Sequence, residues 1–161
     1  MLLLEDHTDT RIWLKALLVE ALAGATVLEA ETIGEAKVIL EGNIISLALL
    51  DINLPDGSGI DLARDITAKS NDTYIVMTTI FDDDKHLFAA LQAGAKGYLL
   101  KEQPRTQLIQ HIQGILKGEP PLSPSIARRI LAYFQDAPVQ KSGSCLSKRE
   151  EEVLALAAKG Y

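Results

Sequence analysis

The feature that most constrains this chain is a regular alternation of short apolar runs with amphipathic segments over its first 118 residues. Five runs are typical of buried strands, and they lie at residues 2–5, 25–30, 46–50, 73–79 and 96–100. Apolar residues recur at helical spacing in the segments between them. Strands that alternate with helices predict an α/β fold, in which right-handed crossovers cover both faces of a parallel sheet.

The first two helices show the pattern most clearly. The apolar positions predicted for the first helix are Ile12, Trp13, Ala16, Leu17 and Val19, with Thr8 or Asp9 as the N-cap. The second helix is predicted to begin with a capping box formed by Thr32 and Glu35.

Length and composition exclude several classes of protein. A chain of 161 residues has room for one such domain and a short appendage, and its 47% hydrophobic and 24% charged residues are those of a globular protein. No apolar run reaches the ~20 residues of a membrane span, so we expect no membrane association. The single cysteine, Cys145, permits no internal disulfide and suits a cytoplasmic location. A net charge of -6 makes the chain a poor binder of nucleic acid.

The pattern changes after residue 118. Residues 123–135 predict one more helix, and the polar stretch 136–145 is typical of a flexible linker. Ser147 then begins a capping-box pattern, which predicts the start of a further helix. We therefore predict three parts: a domain over residues 1–118, a linker helix with a flexible linker over 119–145, and a short helical segment over 146–161.

Polar side chains stand at the ends of four of the five predicted strands. They are Glu5, Asp6, Asp51, Thr78, Thr79 and Lys101. In a parallel sheet these ends share one edge, which is where open α/β sheets bind ligands. Clustered carboxylates repel one another unless a cation intervenes, and carboxylate oxygens are ligands that Mg²⁺ prefers. The three histidines share no ligand spacing, which argues against zinc.

Asp51 is the best candidate for a nucleophile, because it follows the central and most buried strand. A carboxylate beside Mg²⁺ can attack a phosphoryl group. The negative charge of that group needs cationic help, which Lys101 and Mg²⁺ would supply, and a hydroxyl such as that of Thr79 can donate a hydrogen bond to it. The strand ends therefore predict a site that accepts a phosphoryl group.

Four segments of the chain resemble the receiver domain of two-component response regulators. They are Leu-Leu-Glu-Asp-His at 3–7, Leu-Leu-Asp-Ile-Asn-Leu-Pro-Asp-Gly-Ser-Gly at 49–59, Ile-Val-Met-Thr-Thr at 75–79, and Ala-Gly-Ala-Lys-Gly-Tyr-Leu-Leu-Lys at 93–101. The resemblance covers about residues 1–118 and implies a flavodoxin-like, doubly wound (βα)5 fold with strand order 2-1-3-4-5. Residues 146–154 resemble the start of a LuxR-type helix-turn-helix, which points to the NarL/FixJ-type subfamily of transcription regulators.

The resemblance also assigns seven residues to one phosphorylation site and its switch. It implies Asp51 as phosphoacceptor, Asp6 as direct metal ligand, Glu5 as the second acidic residue, Asn53 as the donor of a backbone carbonyl to Mg²⁺, Thr79 as the switch hydroxyl, Lys101 as the phosphoryl-binding lysine, and Tyr98 as the aromatic that changes rotamer. Thr79 is preferred to Thr78, because the residues that follow it match the family pattern.

The function implied by the resemblance is that of a switch and not of an enzyme. A sensor histidine kinase would phosphorylate Asp51, Thr79 and Lys101 would move inward, and Tyr98 would turn into the vacated space. The affected face, made by helix four, strand five and helix five, is a candidate surface for a homodimer. The residues expected there on helix four are Leu87, Phe88 and Leu91. DNA binding would need the complete C-terminal domain and is not expected of this chain.

Two other functions stay open on the sequence. One is a Mg²⁺-dependent phosphatase with an aspartyl-phosphate intermediate, although such enzymes usually place the nucleophile after the first strand and a second aspartate two residues later, where this chain has Asn53. The other is a protein-interaction domain that works without phosphorylation, which a lack of Mg²⁺ binding would favour.

Overall fold

The structure is a computed structural model that describes residues 1–69, 72–81, 83–119 and 121–136. The chain divides into two units between Ala127 and Arg128, and the fold below is that of the first unit. The predictions made for residues 137–161, which include the start of a helix-turn-helix at 146–161, lie outside the described residues.

Seven strands are present in the described chain, and five of them form one parallel sheet. In chain order they are β1 (Leu2–Leu4), β2 (Leu28–Ala30), β3 (Leu47–Asp51), β4 (Asn53–Leu54), β5 (Gly57–Ser58), β6 (Tyr74–Thr79) and β7 (Gly97–Leu100). β4 and β5 pair only with each other, as an antiparallel hairpin. The sheet order is β2-β1-β3-β6-β7, which confirms the predicted order 2-1-3-4-5 when the five sheet strands alone are counted.

Six helices accompany the strands in the described part of the chain. They are α1 (Thr8–Ala21), α2 (Ile33–Gly42), α3 (Gly59–Lys69), α4 (Asp84–Gln92), α5 (Arg105–Ile115) and α6 (Pro124–Asp136). The step from β1 to β2 runs opposite to the other three steps along the sheet, so right-handed crossovers put α1 on one face and α2, α3 and α4 on the other. α5 packs beside α1. None of the helices in these ranges is both long and apolar enough to cross a bilayer.

Apolar side chains from both covering layers bury the central strands. Every residue of β1 and β3 is buried, as the unbroken apolar runs predict. On the face covered by α1 and α5, Leu17 and Leu108 belong to a cluster that also contains Leu49 of the central strand. Burial on both faces leaves the ends of these strands as the places where polar groups reach solvent.

Several predicted boundaries differ from the observed ones for local reasons. β2 begins at Leu28 and not at residue 25, because the Ala25 amide donates to Leu22 O in a turn that follows α1. α1 has His7 as its N-cap and no side-chain cap, so the prediction of Thr8 or Asp9 was wrong. The predicted capping residue of α2 is confirmed, because the Thr32 hydroxyl accepts from the Glu35 amide.

The β4–β5 hairpin returns the chain to the end of β3. The Gly59 amide donates to Ile52 O at 2.8 Å, which closes the hairpin. A Cβ on Gly59 would lie 1.8 Å from the Asp51 carbonyl oxygen, so only glycine permits this approach. The tip of the hairpin is fixed as well, because the Asp56 carboxylate accepts from the Ile33 and Gly34 amides at 2.9 and 3.0 Å. These two backbone hydrogen bonds lower the pKa of Asp56.

Gly59→Ala should therefore destabilise the protein strongly. The new methyl group meets backbone that cannot move aside, and overpacking of this kind costs about 2 kcal/mol. Gly42→Ala is the matched control, because nothing lies within 4 Å of a Cβ there and alanine is the better helix former. Urea denaturation should show a large decrease in the free energy of unfolding for Gly59→Ala and no decrease for Gly42→Ala. Equal stability of the two variants would contradict the close approach.

Candidate functional site

Parallel pairing brings the three predicted carboxylates together. Leu4 pairs with Leu50, so the residues that follow them, Glu5 and Asp51, emerge side by side at one sheet edge. Asp6 follows directly, and one carboxylate oxygen from each of the three residues lies within 4.8 Å of the others. Glu5 and Asp51 are buried, whereas Asp6 is exposed. The cluster therefore has one side open to solvent.

Lys101 reaches into this cluster from the end of β7. Its Nζ lies 2.6 Å from Glu5 Oε2 and 2.8 Å from Asp51 Oδ2. The Lys101 amide donates to Thr79 O at 2.8 Å, which fixes the lysine beside the end of β6. Three carboxylates and one ammonium leave a formal charge of minus two, which one divalent cation would balance.

The pKa of Glu5 reflects its burial in the cluster. Burial raises the pKa of Glu5, and the nearby charge of Asp51 raises it further, while Lys101 acts in the opposite direction. Glu5 Oε2 is buried and is held by the Lys101 ammonium at 2.6 Å. Two buried carboxylates next to an exposed one form a set of oxygen donors that suits a hard cation. The residues present therefore fit Mg²⁺.

Asp51 is held in a defined orientation. Its Oδ1 accepts from the Ile52 amide at 2.7 Å, and its Oδ2 accepts from Lys101. Asn53, which the sequence predicts to lend its carbonyl to a metal, lies two residues further on in β4 and is exposed. The hairpin that carries Asn53 is the one closed by Gly59.

The two neighbouring threonines at the end of β6 have different surroundings. The Thr79 hydroxyl accepts from the Phe81 amide at 3.0 Å, and the Thr79 backbone contacts Lys101. Thr78 lines a small cavity with leucines of α1 and α5, including Leu14 and Leu108, and its buried Oγ1 makes no hydrogen bond within the part of the chain that the structure describes. Of the two hydroxyls, that of Thr79 therefore faces the loop after β6, and Thr79 is the residue that the sequence analysis prefers.

Tyr98 lies inside the protein, in the middle of β7. The residue is fully buried, and its hydroxyl donates to Phe81 O at 3.0 Å. Phe81 thus connects Thr79, which accepts from its amide, to Tyr98, which donates to its carbonyl. The ring is therefore directed inward, which is the position that the family resemblance implies for the switched form.

One expectation for the face that contains α4 was wrong. Leu87 is 0% exposed and belongs to the interior, so it cannot contribute to a dimer surface. Phe88 and Leu91 keep partial exposure. The error arises because Leu87 lies on the buried side of α4 with Ala90, three residues further on, whereas Phe88 and Leu91 lie towards its edge.

Sequence reasoning missed Arg11. This arginine is 8% exposed and lies on the buried stripe of α1 with Leu14, Leu18 and Ala21. Its guanidinium contacts the backbone of the acidic pair. A signal was available, because Arg11 stands three, seven and ten residues before those apolar positions, which is helical spacing. A charged residue inside an apolar stripe marks a buried ion pair or a functional site.

Comparison with known sequences gives a consistent set of relatives. The sequence profile of the response regulator receiver domain matches residues 1–113. The oxygen regulatory protein NreC of Staphylococcus carnosus is 36% identical over 120 residues, which cover 70% of this chain and 55% of that protein. NreC of Staphylococcus epidermidis is 39% identical over 121 residues, with 70% and 56% covered. The chain spans about half the length of the curated relatives it matches.

Solved structures show the same architecture. A two-component response regulator of the LuxR family from Aurantimonas sp. SI85-9A1 superposes with a TM-score of 0.73 at 28% identity, covering 84% of this chain and 96% of the other. A CheY-like receiver domain protein from Methanospirillum hungatei JF-1 gives a TM-score of 0.66 at 28% identity, with 73% and 92% covered.

The buried carboxylate of Glu5 should leave a trace in the pH dependence of stability. The folded protein holds a proton on Glu5 more tightly than the unfolded chain does, so ionisation of Glu5 removes stability as pH rises from about 4.5 towards neutrality. Glu5→Gln lacks this loss. Urea denaturation in EDTA should therefore show that the free energy of unfolding of the variant, relative to that of the wild type, increases as pH rises across that range. A difference that does not change with pH would mean that burial of this carboxylate costs nothing.

Proposed function

Because the chain belongs to the response regulator receiver family and is the receiver domain of a NarL/NreC-type regulator, we propose that Asp51 accepts a phosphoryl group from a sensor histidine kinase. The observation that carries the proposal is the convergence of Glu5, Asp6, Asp51 and Lys101 at one sheet edge, with carboxylate oxygens within 4.8 Å of one another. These are the groups that phosphoryl transfer to a carboxylate requires.

The transfer is an in-line exchange at phosphorus. A carboxylate oxygen of Asp51 forms a bond to phosphorus while the phosphorus–nitrogen bond of the kinase's phosphohistidine breaks. The electron pair stays on the imidazole nitrogen, and the product on Asp51 is an acyl phosphate. Asp6, Asp51 and the Asn53 carbonyl, with Glu5 beside them, would hold Mg²⁺, and the ion would neutralise charge on the transferring group.

Lys101 and Thr79 then move in response to the added negative charge on Asp51. Lys101 is bound to Glu5 and Asp51 before transfer, and its ammonium is within reach of a phosphoryl group on Asp51. The Thr79 hydroxyl has one proton to donate, because in the structure it serves as an acceptor for the Phe81 amide. A phosphoryl dianion attracts both groups, which is the local event in a phosphorylation switch.

Tyr98 carries the response to the face formed by α4, β7 and α5. Its ring is buried and its hydroxyl donates to Phe81 O, so phosphorylation would act by stabilising this inward position of the ring. We place a homodimer contact on that face and DNA binding in a complete C-terminal domain. The same role implies a cytoplasmic location.

The two alternatives are not favoured. The family match covers the segment that contains all seven site residues, and the relatives are regulators. Asp51 follows the third strand of the sheet in sequence, with Asn53 two residues later, which departs from the phosphatase arrangement described above.

Phosphodonor labelling tests the central assignment. The wild-type chain with Mg²⁺ and acetyl phosphate should gain one phosphoryl group, detected by intact-protein mass spectrometry, and Asp51→Asn should gain none. Asp61→Asn is the control, because Asp61 is an exposed aspartate of α3 that pairs with Arg64. Label that persists in Asp51→Asn, or that disappears in the control, would refute Asp51 as the acceptor.

The paired threonines give a sharper test of the switch. Thr79→Val removes the hydroxyl proposed to bind the phosphoryl oxygens and should weaken binding of the acyl-phosphate mimic beryllofluoride by about tenfold, the value of one hydrogen bond to a charged group. Thr78→Val removes a buried hydroxyl that has no hydrogen-bond partner among the described residues and should leave the affinity within about twofold. Calorimetric titration measures both. If Thr78→Val weakened binding and Thr79→Val did not, the assignment would be reversed.

A further inference from the structure

Arg11 is a buried cation that the phosphorylation chemistry does not use directly. The residue is 8% exposed, and a guanidinium is retained in such a place only when its donors are well paired. Its Nη1 donates to Glu5 O at 2.9 Å and to Asp6 O at 3.4 Å. Its Nη2 donates to Glu31 Oε1 at 2.6 Å, and its Nε lies 3.7 Å from Glu29 Oε2. One side chain therefore links the acidic pair to the end of β2.

The contacts of Arg11 divide by type. Towards the acidic pair it touches only backbone carbonyls, so the carboxylates of Glu5 and Asp6 stay directed at Asp51. Towards β2 it forms ion pairs with Glu29 and Glu31, which hold the guanidinium in place. The division means that Arg11 orients the two acidic residues without neutralising them.

A second contact holds the backbone of Glu5 from the side of β2. The Glu5 amide donates to Ala30 O at 3.1 Å, and Ala30 lies between the two glutamates that hold Arg11. The Glu5 backbone is thus held at its amide by β2 and at its carbonyl by Arg11. The carbonyl of the exposed Asp6 is held by Arg11 Nη1.

We propose that Arg11 is a positioning residue for the divalent-cation site. It sets the backbone of Glu5 and Asp6 so that their carboxylates meet that of Asp51. The inference rests on the proposed function, because it concerns the affinity of the same site for Mg²⁺. Groups that orient metal ligands without touching the metal typically change its affinity by 10–100-fold when they are altered.

The planar shape of arginine is needed for this role. A guanidinium donates along several fixed directions at once, so it can bridge two backbone carbonyls and a carboxylate. A lysine at this position keeps the positive charge but carries all its donors on one nitrogen, so it lacks the planar, spread arrangement that reaches the carbonyls of the acidic pair and the Glu31 carboxylate together. Arg11→Lys therefore separates orientation from charge.

The test compares Arg11→Lys with Lys15→Met in the full chain. Lys15 lies one turn further along α1 and forms an ion pair with Glu29, so its loss weakens the attachment of α1 to β2 without touching the acidic pair. Isothermal titration should give a Kd for Mg²⁺ about tenfold higher for Arg11→Lys and within about twofold of wild type for Lys15→Met. Acetyl phosphate labelling of Arg11→Lys should need correspondingly more Mg²⁺ and reach the wild-type rate at saturation.

A structural role alone would give another result. Arg11→Lys would then lower the midpoint of thermal unfolding in EDTA and leave the Kd for Mg²⁺ unchanged, which would overturn the inference. If Arg11→Lys does not fold, Glu31→Gln is used in its place. This variant leaves Arg11 in the protein but weakens the ion pair that holds its guanidinium. That variant should raise the Kd about threefold, because it weakens one partly exposed ion pair of the guanidinium, and an unchanged Kd would again overturn the inference.

The failure of this inference is distinct from failure of the proposed function. A wild-type chain that binds Mg²⁺ but takes no label on Asp51 would refute the proposed function and leave the role of Arg11 standing. Normal labelling together with an unchanged Kd in Arg11→Lys would refute only the role of Arg11. A wild-type chain that binds no Mg²⁺ would refute both.

Discussion

The rest of the site depends on the repulsion among three carboxylates that the sheet holds at one edge. Glu5 and Asp51 are buried, so water screens their charges poorly, and burial raises the pKa of Glu5 with a smaller contribution from the charge of Asp51. Lys101 offsets part of it by contacting both groups. An ammonium on a flexible stem can move, so the cluster is held in a state that added charge rearranges easily.

The backbone around this cluster is held from several directions. Arg11 holds the carbonyls of the acidic pair, and Asp56 fixes the hairpin after Asp51 to the first amides of α2. Gly59 brings the chain back within contact of the Asp51 carbonyl. None of the three places a charge on the reacting atoms. Their common effect is that the carboxylates cannot relieve their repulsion by moving apart, which keeps the site ready for a cation.

The strand ends could be predicted from sequence because they depend on local pattern and on one topological rule. Asp51 and Lys101 follow apolar runs, and parallel strands present such residues at the same edge. Glu5 and Asp6 follow for the same reason. No knowledge of side-chain packing was needed to place these four residues together.

The failures arise where tertiary partners decide the outcome. Ile12 and Val19 were predicted to share the apolar stripe of α1 and are 59% and 49% exposed, whereas Arg11 is buried. A search for helical periodicity counts arginine as a surface residue. The burial of Arg11 is compensated by ion pairs with glutamates at the end of β2, which lie far away in the sequence. Leu87 was misplaced because a helix of nine residues shows too few turns to reveal which side faces the sheet.

The edge of the sheet beyond β7 limits how the proposed switch can reach other molecules. The Tyr98 amide donates to Pro121 O, and Tyr98 forms an isolated parallel bridge with Leu122. Gly97 permits this approach, since a Cβ there would lie 2.2 Å from Pro121 Cγ. The strand that carries Tyr98 is therefore already paired on its outer side at this point, and a paired edge is not available to another strand. A second copy that docks on the face of α4, β7 and α5 must use the surfaces of the helices.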